Sequence, residues 1–154
     1  LNYISYKQNL FKAMERNGNG NLGTVYFPIS LLIITAISFG NILPFENPEH
    51  AGAIAILILG YGDGFAAVFG KVIGKKKIFG DKSIVGTLAM FGFSFAIVIP
   101  LLILFTSFQQ IILIAGVLAI FAALLEMFSP KGLDNLTVPL GMFIIYIVLY
   151  GVFV

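Results

Sequence analysis

Residues 84–105 read IVGTLAMFGFSFAIVIPLLILF, from Ile84 to Phe105, without one charged side chain. A helix needs about 20 mostly apolar residues to cross a bilayer, and this run supplies them unbroken. Four further stretches read the same way: 24–43, 51–70, 108–128 and 137–154. Their apolar residues are continuous rather than alternating, which disfavours a β-barrel. Backbone groups in lipid must be bonded within their own segment, so each stretch is expected to be a helix. The expected fold class is all-α, a polytopic integral membrane helix bundle of about five transmembrane helices in one membrane-embedded domain covering 1–154.

Composition agrees. Of 154 residues, 59% are hydrophobic and 10% charged, with mean hydropathy +1.02, against about 25% charged in a soluble domain. Disorder is excluded, because it needs low hydrophobicity and high charge. Nucleic acid is not an expected partner: net charge is +2 and the basic residues form no continuous stripe. The absence of cysteine removes disulfides, thiolate zinc sites and thiol nucleophiles, and the single histidine, His50, rules out a His-rich metal site.

Residues 1–23 differ in character. Leu10, Phe11 and Met14 share one helical face opposite Lys7, Lys12, Glu15 and Arg16. This suits either an interfacial helix or the cytoplasmic end of a spanning helix upstream of Leu1. Asn17-Gly18-Asn19-Gly20-Asn21 then breaks the helix, since Asn and Gly accept left-handed turns.

The charges fix an expected orientation. All 9 basic residues fall on alternate connections: Lys7, Lys12 and Arg16 before the first span, Lys71, Lys75, Lys76, Lys77 and Lys82 after the second, Lys131 after the fourth. The connection holding Glu46 and Glu49 has none. By the positive-inside rule the lysine side is cytoplasmic.

Several polar residues gather on that side. Asp63 lies inside the second apolar run, in Gly60-Tyr61-Gly62-Asp63-Gly64. An ionisable group within a span is costly unless paired or wet, and marks a functional candidate; the plainer reading is a carboxylate that snorkels or pairs with Lys71. Gly62, Ala66, Gly70 and Gly74 recur every four residues, a stripe that permits close helix packing; Gly60, Gly62 and Gly64 equally suit a backbone that approaches a ligand. Residues 71–87 read KVIGKKKIFGDKSIVGT. Lysines among glycines that lead into a helix N-terminus suit phosphate, whereas lysines alone suit an anchor on anionic lipid. No Walker A loop is present, and Ser83 is also a natural N-cap. Glu126 ends the fourth span. Asp134 and Asn135 sit before the fifth, where Asp134 is also a candidate cap. Oxygen ligands for a metal beside cations for phosphates are what a magnesium-bound nucleotide requires.

The run Gly62 to Phe91, GDGFAAVFGKVIGKKKIFGDKSIVGTLAMF, resembles the family of dolichol kinases, phytol kinases and CTP-dependent diacylglycerol kinases, relatives of the phosphatidate cytidylyltransferases. The elements that carry the resemblance are Gly62-Asp63-Gly64, Gly70-Lys71 with Gly74, Lys82-Ser83 with Gly86-Thr87, and Asp134-Asn135-Leu136-Thr137-Val138-Pro139, with Glu126 ahead of the last. The resemblance covers about two thirds of the chain. It implies phosphoryl transfer to the hydroxyl of a membrane lipid alcohol (polyprenol, phytol or diacylglycerol type) from a nucleoside triphosphate, CTP more than ATP. It implies Asp63, Glu126 and Asp134 as catalytic and Mg2+-binding carboxylates. It implies Gly62, Gly64, Lys71, Lys82, Ser83, Gly86, Thr87 and Asn135 as nucleotide-binding residues, on the cytoplasmic face. Family members carry further upstream helices with an Arg-Lys and a His near their start. The stretch before the first span shows no counterpart, so the chain is expected to be truncated or a reduced member.

Two other functions compete. A cytidylyltransferase making a CDP-lipid would carry a longer acidic signature. A non-enzymatic scaffold or transporter is the reading from another class, but a transporter places ionisable residues near the midplane, and here they cluster toward one interface.

The orientation is open to direct test. A single cysteine placed at position 76 of this Cys-free chain is expected to resist impermeant thiol reagents from outside intact cells, and one at Glu46 to react. Strong outside labelling at 76 would overturn the orientation.

Overall fold

The computed structural model describes residues 22–153 apart from 41, 45, 81, 108 and 131; the amphipathic stretch 5–16 and the basic residues Lys7, Lys12, Arg16 and Lys131 lie outside them. Helix α1 spans Gly23–Phe39. A second, longer helix begins as α2 (Pro48–Leu57), widens into a π-helical segment (Ile58–Asp63) and continues as α3 (Gly64–Val72). Strands β1 (Lys77–Phe79) and β2 (Lys82–Ser83) form a short antiparallel hairpin. Helices α4 (Ile84–Phe105), α5 (Ile111–Phe128) and α6 (Asp134–Phe153) follow. The fold is the expected all-α membrane bundle. Four helices, counting α2 to α3 as one, are long and apolar enough to cross a bilayer, and α1 is a shorter apolar one.

The bundle's outside is as apolar as its core. Leu32, Leu104, Val72 and Val152 are each more than 70% exposed, a surface that only lipid solvates at no cost. Inside, Ile54, Ile58, Met90, Leu118, Met142 and Tyr146 are fully buried.

Four boundaries differ by three residues or more from those the hydropathy suggests. Helix α1 stops at Phe39 rather than near 43, with Gly40, a poor helix former, at its C-cap. Helix α2 begins at Pro48 rather than 51, with proline at its N-terminus, where its missing N–H costs nothing. Helix α5 begins at Ile111, after Gln109 and Gln110. Helix α6 begins at Asp134, three residues before the expected 137. Asp134 and Asn135 therefore stand in its first turn, not in a loop, and Pro139 falls in the second turn. The hairpin was not expected at all. Its turn contains Gly80 at φ +53°, a left-handed conformation that costs glycine little.

The π-helical segment determines which neighbours each half of the second span meets. An i→i+5 bulge adds a residue to the turn and rotates everything beyond it by about 100°. Accordingly α2 packs on α1 and α6, whereas α3 packs on α4. The glycine stripe lies in that second contact. A Cβ on Gly62 would meet Ser94 Oγ at 2.6 Å and Met90 Sδ at 2.8 Å; one on Gly70 would meet Ser83 Oγ at 3.1 Å; one on Gly74 would collide with the Ser83 side chain and the Gly70 carbonyl. On the facing helix, a Cβ on Gly86 would lie 3.1 Å from the Ala66 carbonyl oxygen. The packing reading of the stripe therefore holds. Gly60 and Gly64 face the other way, and a Cβ there meets nothing within 4 Å.

This asymmetry predicts unequal alanine substitutions. Gly74→Ala should lower stability by about 1–3 kcal/mol, the usual cost of overpacking. Gly64→Ala should be neutral or raise it by up to about 1 kcal/mol through helix propensity. Thermal midpoints in one neutral detergent check both; equal effects would mean that the α3–α4 contact is not close-packed.

Candidate functional site

At one end of the bundle, side chains from three separate elements meet. Lys82, on β2, places Nζ 2.5 Å from Glu126 Oε1 and 2.8 Å from Asp134 Oδ2. Glu126 is in the last turn of α5 and Asp134 is the first residue of α6. All three side chains are withdrawn from solvent, at 22%, 5% and 11% exposure.

Local sequence explains how each is held. Ser83 Oγ accepts the Gly86 backbone N–H at 3.1 Å and so caps α4. The same hydroxyl lies against Gly70 and Gly74, which anchors the hairpin strand carrying Lys82 to α3. Phe79, opposite Lys82 in the hairpin, sets its ring edge-on to Phe128 at 5.7 Å, beside Glu126. Between α5 and α6 the Ser129 hydroxyl donates to the Leu125 carbonyl at 2.5 Å and is paired with the Thr137 hydroxyl, whose own contact to the Leu133 carbonyl is 3.0 Å. This clasp ties the end of one helix to the first turns of the next. Ser129 and Thr137 were not anticipated as site-builders; the Ser-Pro pair that ends α5 was the available signal.

The two carboxylates are not equally satisfied. Asp134 Oδ2 receives Lys82, and its Oδ1 accepts the Asn135 backbone N–H at 3.0 Å and the Asn135 side-chain amide at 3.3 Å. Glu126 Oε1 receives Lys82, but Oε2 is buried with no hydrogen-bond partner. Asp63, 7% exposed, ends the π-helical segment, close enough for its charge to act on Glu126. Burial pulls the Lys82 pKa down, but the charges and hydrogen bonds of Asp134 and Glu126 outweigh it and hold the ammonium above its ordinary value. Lys82 is therefore a fixed cation at neutral pH.

The expected site residues fall into three groups. Lys82, Glu126, Asp134 and Asn135 come together, with Asp63 deeper in the bundle and near enough for its charge to act on Glu126, so the three expected metal carboxylates are not gathered into one group. Gly62, Ser83 and Gly86 sit in the α3–α4 seam, and Thr87 in the first turn of α4 has a buried hydroxyl without a partner. Gly64 faces open space, and Lys71 is exposed in the last turn of α3. Among the described residues, no three His, Cys, Asp or Glu side chains are gathered closely enough to hold a metal ion. At the far end, His50 stacks on Phe105 at 4.3 Å and joins α2 to α4.

Fold and site together define a multi-pass membrane protein with one buried ionic cluster at one end of its bundle. No family model and no solved structure matches the chain. It is similar to the phytol kinase of Synechocystis sp., with 37% identity over 142 residues, 90% of this chain and 59% of the relative. The chain thus spans about three fifths of the length of the curated relative it matches. It belongs to the family of dolichol and phytol kinases.

The lysines should separate cleanly in a stability assay. Lys82→Ala leaves two withdrawn carboxylates unpaired and should cost about 3 kcal/mol, the lower end for a broken buried ion pair, because Lys82 remains partly exposed. Lys75→Ala and Lys76→Ala, both on exposed side chains, should each stay within about 0.5 kcal/mol. Thermal unfolding in neutral detergent measures this, and equal small effects would remove Lys82 from the framework of the site.

Proposed function

We propose that this chain performs phosphoryl transfer from a nucleoside triphosphate to the hydroxyl of a membrane lipid alcohol, at the cytoplasmic interface. The observation that carries the proposal is the convergence of Asp63, Lys82, Glu126 and Asp134 at one end of an apolar bundle, in a chain similar to a phytol kinase. A transporter would hold its ionisable groups near the midplane; these lie where a water-borne nucleotide and a lipid headgroup meet.

Phosphoryl transfer asks for positioning and charge neutralisation and no covalent nucleophile. The exposed lysines Lys71, Lys75 and Lys76 attract the polyanion to this end of the protein. Lys82 supplies a cation withdrawn from water, where its field is stronger. CTP is the proposed donor on the family resemblance. Mg2+ fits the donor set, because Glu126 Oε2 is a buried oxygen without a partner and Mg2+ commonly takes one or two carboxylates beside phosphates and water. Bound there by Glu126 with Asp134, it would neutralise charge on the transferring group.

Asp63 is the proposed base. It lies nine residues before the end of α3 at Val72, about 13 Å further along the helix axis, whereas Glu126 is two residues from the end of α5. A lipid hydroxyl that rises from the bilayer meets Asp63 before the phosphates. Its proton passes to the Asp63 carboxylate as the oxygen bonds to phosphorus and the nucleoside diphosphate departs.

The test is a matrix of donors (CTP, ATP, GTP, UTP, each γ-labelled) against acceptors (phytol, a polyprenol, diacylglycerol) with the purified chain and Mg2+. Label is expected in one lipid phosphate, with CTP preferred. Asp63→Asn should reduce turnover by about 10²–10⁴-fold, the usual contribution of a positioned base, while nucleotide affinity by calorimetry stays within threefold. Near-native turnover of Asp63→Asn would make this carboxylate structural.

A further inference from the structure

We propose that Lys82 fills the place between Glu126 and Asp134 as a stand-in cation, to be displaced when the divalent metal of the proposed reaction arrives with the nucleotide. The proposal rests on the phosphoryl-transfer reading and adds to it an exchange of cations at one place. Two observations carry it.

The first is position. The Lys82 ammonium lies between carboxylates from two different helices, 2.5 Å from one and 2.8 Å from the other. A group so placed takes two carboxylate oxygens that a hard cation would also take.

The second is an imbalance that lysine leaves uncorrected. Glu126 is 4% exposed, and its Oε2 has no partner although Oε1 is bonded. A buried acceptor without a donor is expensive and calls for an explanation. A divalent ion that takes both Glu126 oxygens, or Oε2 with Asp134 Oδ2, removes the imbalance; an ammonium bound at Oε1 does not. Asp134 Oδ1 is held by Asn135, so the aspartate is already oriented to present Oδ2.

Two carboxylates suit a metal whose remaining ligands are phosphate oxygens and water, so the metal that displaces Lys82 is one delivered by its nucleotide.

Lys82 is free to give way. Ser83 is pinned by its cap and by the α3 glycines, so the backbone at Lys82 stays put while the four-carbon stem swings. Displaced from the carboxylates, the ammonium moves to the incoming phosphates, and the exchange couples metal entry to phosphate capture.

The proposal is tested without turnover. Binding of Mn2+ alone to the purified full chain in neutral detergent is followed by electron paramagnetic resonance, with no nucleotide present. Wild type is expected to bind weakly and Lys82→Met at least tenfold more tightly, since the competing cation is gone. The double variant Lys82→Met, Glu126→Gln should lose that gain. Mg2+ should also raise the thermal midpoint of Lys82→Met with increasing concentration and leave wild type unchanged, as a ligand that binds only the folded state does. Lys82→Gln, which removes the charge and keeps a donor, replaces Lys82→Met if the latter does not fold. Mn2+ affinity no higher in the lysine variants than in wild type, or a gain that survives Glu126→Gln, would overturn the proposal. Failure of wild type to bind nucleotide with Mg2+ would instead overturn the kinase reading and leave the metal result standing.

Discussion

Everything at the charged end of this bundle depends on one ammonium group that joins two carboxylates from different helices. Lys82, Glu126 and Asp134 are separated by 44 and 52 residues in sequence, and none is affordable alone so near the hydrocarbon region. Removing any one leaves uncompensated charge where water is scarce. The ion triad therefore fixes three things together: the distance between the end of α5 and the start of α6, the position of the hairpin, and the burial of the carboxylates. The surrounding contacts serve this geometry. The Ser129–Thr137 clasp keeps the α5–α6 turn tight, and the Ser83 cap holds the lysine's strand against α3.

The second constraint is the seam between α3 and α4. In lipid, two helices gain little from apolar burial and must associate through close packing. Gly62, Ala66, Gly70 and Gly74 on one side face Ser94, Met90, Gly86 and Ser83 on the other. The seam runs from Asp63's neighbour directly to the residue beside Lys82, so the contact that holds the helices together also sets the spacing between the deep carboxylate and the cation. The stacked Phe65 and Phe93, 3.9 Å between ring centroids, add an aromatic contact between the same two helices. The π-helical bulge belongs to the same logic: without its rotation, α3 would present its stripe to the neighbours of α2.

Much of this was legible in the sequence, and the reasons differ by level. Span number followed from hydropathy because a bilayer imposes a length on every helix. The stripe at Gly62, Ala66, Gly70 and Gly74 was visible as a packing face, but its complement on α4 was not, since a packing partner leaves no periodic mark that names it. Asp63, Lys82, Glu126 and Asp134 could be picked out individually because charges are rare in such a chain. Their pairing was hidden: Lys82 stands apart from the other lysines by its place just before the Ser83 cap, but nothing in the sequence joins it to Glu126 and Asp134. The hairpin was missed because lysines dominate 75–82, although Gly80-Asp81 between residues of extended character is a recognised turn signal. The early start of α6 was missed because polar Asp134 and Asn135 interrupt the hydropathy. Their hydrogen bonds to one another and to the Gly132 carbonyl show them organising the helix start instead.

The depth at which the charges sit is itself informative. A carboxylate deeper in the bundle would meet lipid but no nucleotide, and one in the exposed lysine loop would meet nucleotide but no lipid. Asp63 is buried at the end of the bulge, Glu126 and Asp134 at the helix ends, and Lys71, Lys75 and Lys76 in solvent. Charge is thus graded along the helix axis, from exposed cations through a paired cluster to a single deep carboxylate. A reaction between a highly charged soluble molecule and a lipid hydroxyl needs that gradient, because the phosphates must lose water in stages while the hydroxyl never leaves the membrane. A carboxylate buried within a span is costly and, where it occurs, marks a functional candidate. The unpartnered Glu126 oxygen is a second such expense, set within reach of the first. A buried carboxylate oxygen without a donor, in the same region as a second buried carboxylate, marks this end of the bundle as the candidate site.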